Sequence, residues 1–248
     1  LYEGNILIDG LGAVIDLQGG GGIWIYGDEN HPCNLDIRYC SILNGAYYGV
    51  SFGGEATGSV INCNLINNDM GIKLYDNSSV SIENSNFIDN TTYGLGIYTE
   101  DPICTISYCN SWNNGEYDYM ENCPGWGNIW TPWEPDPGID LINENPLFLD
   151  IQNYNFGYYD SSPCINSGNP NIFDSDGTIS DIGAISYNNL INGDCNQDNE
   201  QNIIDVVYNL NNCILEIILN DCECSNLNGD NDYNILDIVV LVNIILSN

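Results

Sequence analysis

The sequence predicts a mainly β protein followed by a small helical module. A coil of short parallel strands is expected over roughly residues 1–120, with a closing segment after it. Two observations carry this. The first 120 residues repeat with a period of 22 to 24, and the last fifth of the chain contains one acidic loop-plus-helix unit written twice, 32 residues apart.

The coil is read by aligning Cys40, Cys63, Ser85 and Cys109. Three residues earlier stand Ile37, Val60, Ile82 and Ile106, and two later Ile42, Leu65, Phe87 and Ser111. Apolar residues alternate with period two, as in Val80 and Ile82, then slip by one and resume at Ser85 and Phe87. Such a slip marks a corner where a strand bends and restarts with its next side chain inward. A further strand follows a glycine at Gly49-Val50, Gly71-Ile72 and Gly96-Ile97, with Gly22-Ile23 as an earlier equivalent. Short strands, corners and a period above twenty imply turns stacked about 4.8 Å apart. Asn44, Asn67, Asp89 and Asn113 fall four residues after the cysteine column, so their side chains are expected to stack at one corner and bond along the ladder.

The cysteine column is read as small inward hydrophobes. A metal stack would want His or converging carboxylates, and the one histidine, His31, precedes the column. Disulfides are expected instead among Cys123, Cys164, Cys195, Cys213, Cys222 and Cys224, without a pairing.

The period fails beyond Asn114. A proline-rich stretch holds Trp126, Trp130 and Trp133, which suit either a seal over the end of the coil or a sugar-stacking platform. Asp174, Asp176 and Asp181 follow, with a spacing that fits an Asx-type turn or a third calcium ion. The domain expectation is 1–187 for the coil with a capping segment at about 120–187, 188–192 for a link, and 193–248 for the module.

In that module the first loop offers Asp194, Asn196, Asp198, Asn202 and Asp205. The second offers Asn226, Asn228, Asp230, Asn234 and Asp237. These are positions 1, 3, 5, 9 and 12 of an EF-hand-type calcium loop, in which position 7 (Glu200 and Asp232) contributes its backbone carbonyl. Two Ca2+ ions are expected. Position 6, usually glycine, is Asn199 and Asn231; asparagine also tolerates a left-handed backbone. Asn226 at position 1 removes a charge and weakens the second site.

Composition excludes several classes. The formal charge is −33, from 35 acids against two basic residues, Arg38 and Lys73. Neither phosphate neutralisation nor attraction to an anionic bilayer has cations to work with, so nucleic acid and membrane surfaces are not partners. The longest apolar candidate, Ile235 to Leu246, is too short to span a bilayer and contains Asp237 and Asn243, so membrane insertion is not expected. Eleven cysteines point to an oxidising compartment. The chain opens at Leu1 without an initiator methionine or basic leader, which implies a mature terminus or an internal start, and an extracellular or cell-surface location.

Residues 1–120 resemble the right-handed parallel β-helix of pectate-lyase-like and carbohydrate-binding secreted proteins. The runs Ser162-Pro-Cys-Ile and Asp174-Ser-Asp-Gly-Thr, with Asp181-Ile-Gly-Ala, are similar to the terminal segment of secreted bacterial β-helix proteins. The C-terminal module resembles a type I dockerin, which implies docking to a cohesin-like domain through loop positions 10 and 11. Here these are Ile203, Ile204, Ile235 and Leu236, in place of the small hydroxyl residues common in that family. A polysaccharide lyase would need cationic groups beside its substrate, and two basic residues in different columns do not supply them. A hydrolase would need one of the acid pairs, and Asp36, Glu83 and Asp89 have nothing to mark them from solvated acids. The sequence is therefore read as non-catalytic: a rigid rod whose calcium-loaded module docks onto a partner or onto neighbouring copies in a fibre. A polysaccharide-active or glycan-binding rod carried on a cohesin scaffold is the alternative.

Overall fold

The computed structural model describes residues 4–99, 102–122, 130–132, 138–187, 193–195, 201–215, 226–228, 230 and 234–247. The chain forms two compact units, Leu1–Tyr187 and Asn188–Asn248.

The first unit is the expected coil, with three walls. Wall one and wall two begin together in the long strands β1 (Gly4–Asp16) and β3 (Cys33–Leu43), which pair in parallel. On wall one β3 is followed by β5 (Thr57–Ile61), β8 (Ser79–Glu83) and β11 (Ile103–Ser107). On wall two it is followed by β6 (Asn64–Ile66), β9 (Asn86–Ile88) and β12 (Asn110–Trp112). Wall three carries β2 (Ile23–Gly27), β4 (Val50–Gly54), β7 (Met70–Leu74), β10 (Tyr93–Ile97) and β13 (Tyr117–Asn122), closed by an antiparallel β14 (Trp130–Pro132).

Register follows the predicted alignment: Ile37 pairs with Val60, Val60 with Ile82 and Ile82 with Ile106. These residues, with Ile42, Leu65, Phe87, Phe52, Ile72 and Leu95, fill the interior. One assignment changes. Leu95 pairs with Ile72, so the counterpart of Gly71 is Gly94, and Gly96 lies beside Lys73. The reason is steric: a Cβ on Gly71 or Gly94 would sit 2.5 or 2.6 Å from the carbonyl oxygen of the next turn. Cys40, Cys63 and Cys109 are fully buried thiols in the wall-one/wall-two bend. Burial pushes the Cys109 thiol up to about 12.

Asparagine makes the corners. Asn44, Asn67, Asp89 and Asn113 all have φ between 53° and 61°, a left-handed conformation that asparagine and aspartate tolerate best after glycine. Asn67 Nδ2 donates to Asn44 Oδ1 and Asn113 Nδ2 to Asp89 Oδ1, both at 2.6 Å. A second ladder, buried at Asn68 and Asn90, runs beside it. Asn68 Nδ2 and Asn90 Nδ2 each donate to the next oxygen along the coil, Asn90 Oδ1 at 3.3 Å and Asn114 Oδ1 at 2.9 Å, and to the backbone oxygens of Ile42 and Leu65. A third links Asn64 to Ser41, Asn86 to Asn64 and Asn110 to Asn86.

Over its described residues 138–187, the segment expected as a cap runs as a strap along wall two. Residues 139 and 142 bridge to β11 and β12 as a further partial turn. The hairpin β15 (Phe148–Asp150) and β16 (Asn155–Tyr158) then opens a run that packs Phe148, Phe156, Tyr158, Cys164 and Ile182 onto Leu43, Ile66 and Ile88, the outward apolar residues of wall two. Burying a side chain such as Phe156 contributes roughly 1.5–3 kcal/mol. The strap also bonds the corner amides: Asn62 Nδ2 reaches the Asp181 oxygen at 3.0 Å and Asn84 Nδ2 the Ser180 hydroxyl at 3.0 Å. Cys164 is a buried thiol, and so is Cys195 of the second unit, so neither joins the disulfides expected of them; Cys213 is disulfide-bonded. Cys123, Cys222 and Cys224 lie outside the described residues.

The second unit contains α1 (Ile203–Asn209), continued by a π-helical turn at Leu210–Leu215, and α2 (Ile235–Ser247). Leu241 and Ile238 of α2 and Cys213 are buried.

Candidate metal-binding and docking module

The two copies of the loop-to-helix junction have the same geometry. At the first, Asn202 is the N-cap: its Oδ1 accepts from Ile204 N at 2.7 Å, while Asp205 Oδ2 accepts from Asn202 N at 2.8 Å. At the second, Asn234 Oδ1 accepts from Leu236 N at 2.8 Å and Asp237 Oδ2 from Asn234 N at 2.9 Å. This reciprocal capping follows from the Asn-x-x-Asp spacing, which satisfies backbone N–H groups that a helix start leaves open. It also turns the position-12 carboxylate back towards the loop. Asp237 Oδ1 accepts from Leu227 N at 3.0 Å and Asn228 N at 3.2 Å, the start of the same loop. Asp230 N donates to Asn228 Oδ1 at 3.0 Å, folding positions 3 and 5 together.

Burial makes the electrostatics decisive. Asp205 and Asp237 are 0% exposed and Asp194 is 3%. No Lys, Arg or His follows Lys73 in the chain, so this unit contains no basic side chain at all. A buried carboxylate without a counter-charge is costly, and backbone N–H groups offset only part of that cost. An all-oxygen donor set of carboxylates, amides and carbonyls suits a hard divalent cation, and the residues present fit Ca2+. Asn226, Asn228, Asp230, Asn234 and Asp237 of the second loop are described, as are Asp194, Asn202 and Asp205 of the first. Asn196, Asp198, Glu200 and Asp232 lie outside the described residues. Among the described residues no three His, Cys, Asp or Glu side chains converge as a metal site; the described residues of each loop offer two carboxylates together with amides.

Positions 10 and 11 point the other way. Ile203, Ile204, Ile235 and Leu236 are 65%, 55%, 58% and 56% exposed, a large apolar area for residues beside a helix start. Two further exposed residues extend the pattern one turn on, Val207 and Val239, again 32 apart. Sequence reasoning stopped at positions 10 and 11; the signal for the extension was the same offset carried past the loop.

The remaining candidates do other work. Asp174 Oδ2 accepts from Asp181 N at 2.9 Å and its Oδ1 from the Ser186 hydroxyl at 2.8 Å. Asp176 Oδ1 takes both the N–H (2.9 Å) and the hydroxyl (2.7 Å) of Thr178. Asp181 accepts from Asn166 N at 2.7 Å and from Tyr187 N. This trio is the turn chemistry of the strap, and burial raises the Asp181 carboxyl to about 6. Among the acids weighed for hydrolysis, Asp36 accepts from Ser59 and Asn34, Glu83 from Asn169, and Asp89 from Asn113. Each holds a separate piece of the coil. Trp126 and Trp133 lie outside the described residues.

The family described as the right handed beta helix region matches residues 2–125, half of the chain. Together with the parallel three-walled coil, this makes the chain a member of the right-handed β-helix proteins. Comparisons with curated proteins and with solved structures gave no match.

Proposed function

We propose that this is a non-catalytic, extracellular, calcium-locked docking protein: a β-helix rod carrying a dockerin-like module that engages a cohesin-like partner domain. The observation that carries the reading is the pair of fully buried carboxylates, Asp205 and Asp237, in a unit without any basic side chain. Calcium would be held by Asp194, Asn196, Asp198, Glu200, Asn202 and Asp205 in one loop. In the other it would be held by Asn226, Asn228, Asp230, Asp232, Asn234 and Asp237. The ion supplies the positive charge that this small unit's own side chains lack. Asn202 and Asn234 fix the helix starts, and Asp205 and Asp237 tie each helix to its loop. With both loops locked, Ile203, Ile204, Val207 and their counterparts Ile235, Leu236 and Val239 are held on rigid helices. An apolar anchor presented this way binds a partner without a large ordering cost.

Calorimetric titration of the full chain with calcium tests the first half. Two ions bound, reduced to one by Asp205→Ala and by Asp237→Ala separately, supports the reading; heat of dilution alone defeats it. Sedimentation with and without calcium tests the second half. A calcium-dependent oligomer that Ile203→Asp with Ile235→Asp disperses would make the partner a neighbouring copy. A monomer in both conditions leaves a separate domain as the partner, to be measured by titration with a cohesin domain.

A further inference from the structure

The outer corner ladder is broken at one step, and a cavity opens at the break. Along this corner each side-chain amide donates to the turn before it. Asn44 Nδ2 bonds Asp16 Oδ1 at 2.9 Å, Asn67 Nδ2 bonds Asn44 Oδ1 at 2.6 Å, and Asn113 Nδ2 bonds Asp89 Oδ1 at 2.6 Å. The pattern calls for one more bond, from position 89 to Asn67 Oδ1. Asp89 is a carboxylate and has no N–H to give. Residues 67 and 89 follow the paired Ile66 and Ile88, so they stack one turn apart. Two acceptors therefore meet at this step, Asn67 Oδ1 and the second Asp89 oxygen, and among the described residues neither receives a donor. A cavity of about 300 Å3 lies against them. Asn67, Asp89 and Gln152 contribute polar atoms to its lining, and Leu43, Ile66 and Ile151 contribute apolar ones. Tyr154 closes the list of neighbours from the strap, its hydroxyl donating to Asp16 Oδ2 at 2.7 Å.

We infer that this cavity binds a primary alkylammonium group, its head at the Asn67–Asp89 step and its alkyl chain along Ile66 and Ile151. The head has only N–H donors, which is what the broken step lacks, and its charge meets the Asp89 carboxylate. Other ligands fit less well. Calcium takes six to eight oxygens, and the lining offers one carboxylate, two side-chain amides beside it and apolar surface. A guanidinium prefers a carboxylate with both oxygens open, and Asp89 Oδ1 is already engaged by Asn113. Anions are repelled by a chain of formal charge −33, which draws amines towards it. The same group occurs on a free polyamine and on a lysine side chain of a partner protein.

The test is calorimetric titration of the full chain with butylammonium, in millimolar calcium so that inorganic cation sites are filled beforehand. Putrescine and Nα-acetyl-lysine methylamide represent the two sources, and whichever binds tighter names the source. Butylguanidinium and tetramethylammonium are the controls. The expected result is saturable binding of butylammonium, weaker binding of both controls, and a loss of about tenfold in Asp89→Asn. That variant keeps an acceptor for Asn113 and supplies the missing N–H to Asn67, so its melting should be no lower than the parent's. Ile151→Ala should weaken butylammonium and leave methylammonium unchanged; if Asp89→Asn melts lower, this dependence on chain length decides. Glu29→Gln removes an exposed charge elsewhere on the coil and should leave binding intact. Heats without saturation would overturn the inference, as would full retention of binding in Asp89→Asn. Equal losses in Asp89→Asn and Glu29→Gln would also overturn it, reducing the amine to a diffuse counter-ion.

Discussion

The coil and the C-terminal module both bury oxygen-bearing side chains, and they solve the problem in opposite ways. The coil buries amides. Asn90 illustrates the scheme: its Oδ1 accepts from Asn68 N at 3.1 Å and its Nδ2 donates to Leu65 O at 3.1 Å and Asn114 Oδ1 at 2.9 Å. An amide both donates and accepts, so identical residues stacked one turn apart satisfy each other and the ladder extends without a charge. The module buries carboxylates, which only accept. Asp237 takes three backbone N–H groups, from Leu227, Asn228 and Asn234, and as a carboxylate has no donor to pass on. A periodic wall can therefore satisfy itself, whereas the module's buried carboxylates are the feature on which the calcium proposal rests.

The sharpest way to break this contrast is to remove the cation and the carboxylate in turn. Chelation is expected to lower the melting of the module, followed by its helical circular dichroism, while the β signal of the coil stays in place. Asp237→Ala in calcium should cost the module roughly 3–5 kcal/mol, because three backbone donors lose their acceptor along with the ion. A module that melts identically with and without chelator would show that the carboxylates are stabilised by the protein alone. Next in size is the coil's own counterpart. Asn90→Leu should destabilise the coil by roughly 2–4 kcal/mol in denaturant titration, since it strands partners on both neighbouring turns. That loss is expected to be independent of calcium.

A smaller effect separates the two regions by pH. Burial raises the Asp181 carboxyl from 3.8 to about 6, against hydrogen bonds from Asn166 and Tyr187 that favour the ion. Between those values the folded strap holds the proton that the unfolded chain has released. Stability therefore falls as pH rises through the window from about 4 to 6, and is regained on acidification. The size is at most about 3 kcal/mol over that window. Melting of the coil measured from pH 4 to 7 should show this slope, and Asp181→Asn should flatten it whatever its effect on the baseline. On the calcium proposal the C-terminal module is expected to respond with the opposite sign, because metal ligands must be deprotonated.

Much of the coil could be read from residue pattern, because it is made of local repeats. The inward columns through Ile37 and Ile42 and the corner at Asn44 each recur within one period, so each was visible several times over. The strap was not legible as a strap, since its contacts join positions more than seventy residues apart, as Tyr158 does with Asn86 at 3.0 Å. A signal existed nonetheless. Leu43, Ile66 and Ile88 are apolar next to the inward Ile42, Leu65 and Phe87, and a strand apolar on both faces needs a cover on each. The interior ladder was hidden for another reason: Asn68, Asn90 and Asn114 directly follow the corner residues and look like loop polarity. On wall three Gly53 lies under the Tyr75 ring, where a Cβ would fall 2.0 Å from its Cζ, and a glycine's meaning depends on which ring lies over it. In the module, the spacing of Asn202 and Asp205 announced the cap and the loop together, whereas the burial of Asp205 required the fold.

The last test turns on one residue in each repeat of the module. Asn209 of α1 stands where the second copy has Leu241, 32 residues on, and both are 0% exposed. The Leu241 side chain is at home there. The Asn209 amide has neither its Nδ2 nor its Oδ1 hydrogen-bonded, so it bears the desolvation cost that the coil's asparagines avoid through their neighbours. Replacing it with the residue of the sister repeat removes both unsatisfied atoms while keeping the branching and the number of heavy atoms. Asn209→Leu should stabilise the module by about 1 kcal/mol, read as a rise in the melting of its helical signal at fixed calcium. The same substitution at Asn90 is predicted to destabilise the coil. Opposite signs for one chemical change would place the difference between the regions in the partners each provides, and a loss at both positions would mean that Asn209 has a role its hydrogen bonds do not reveal.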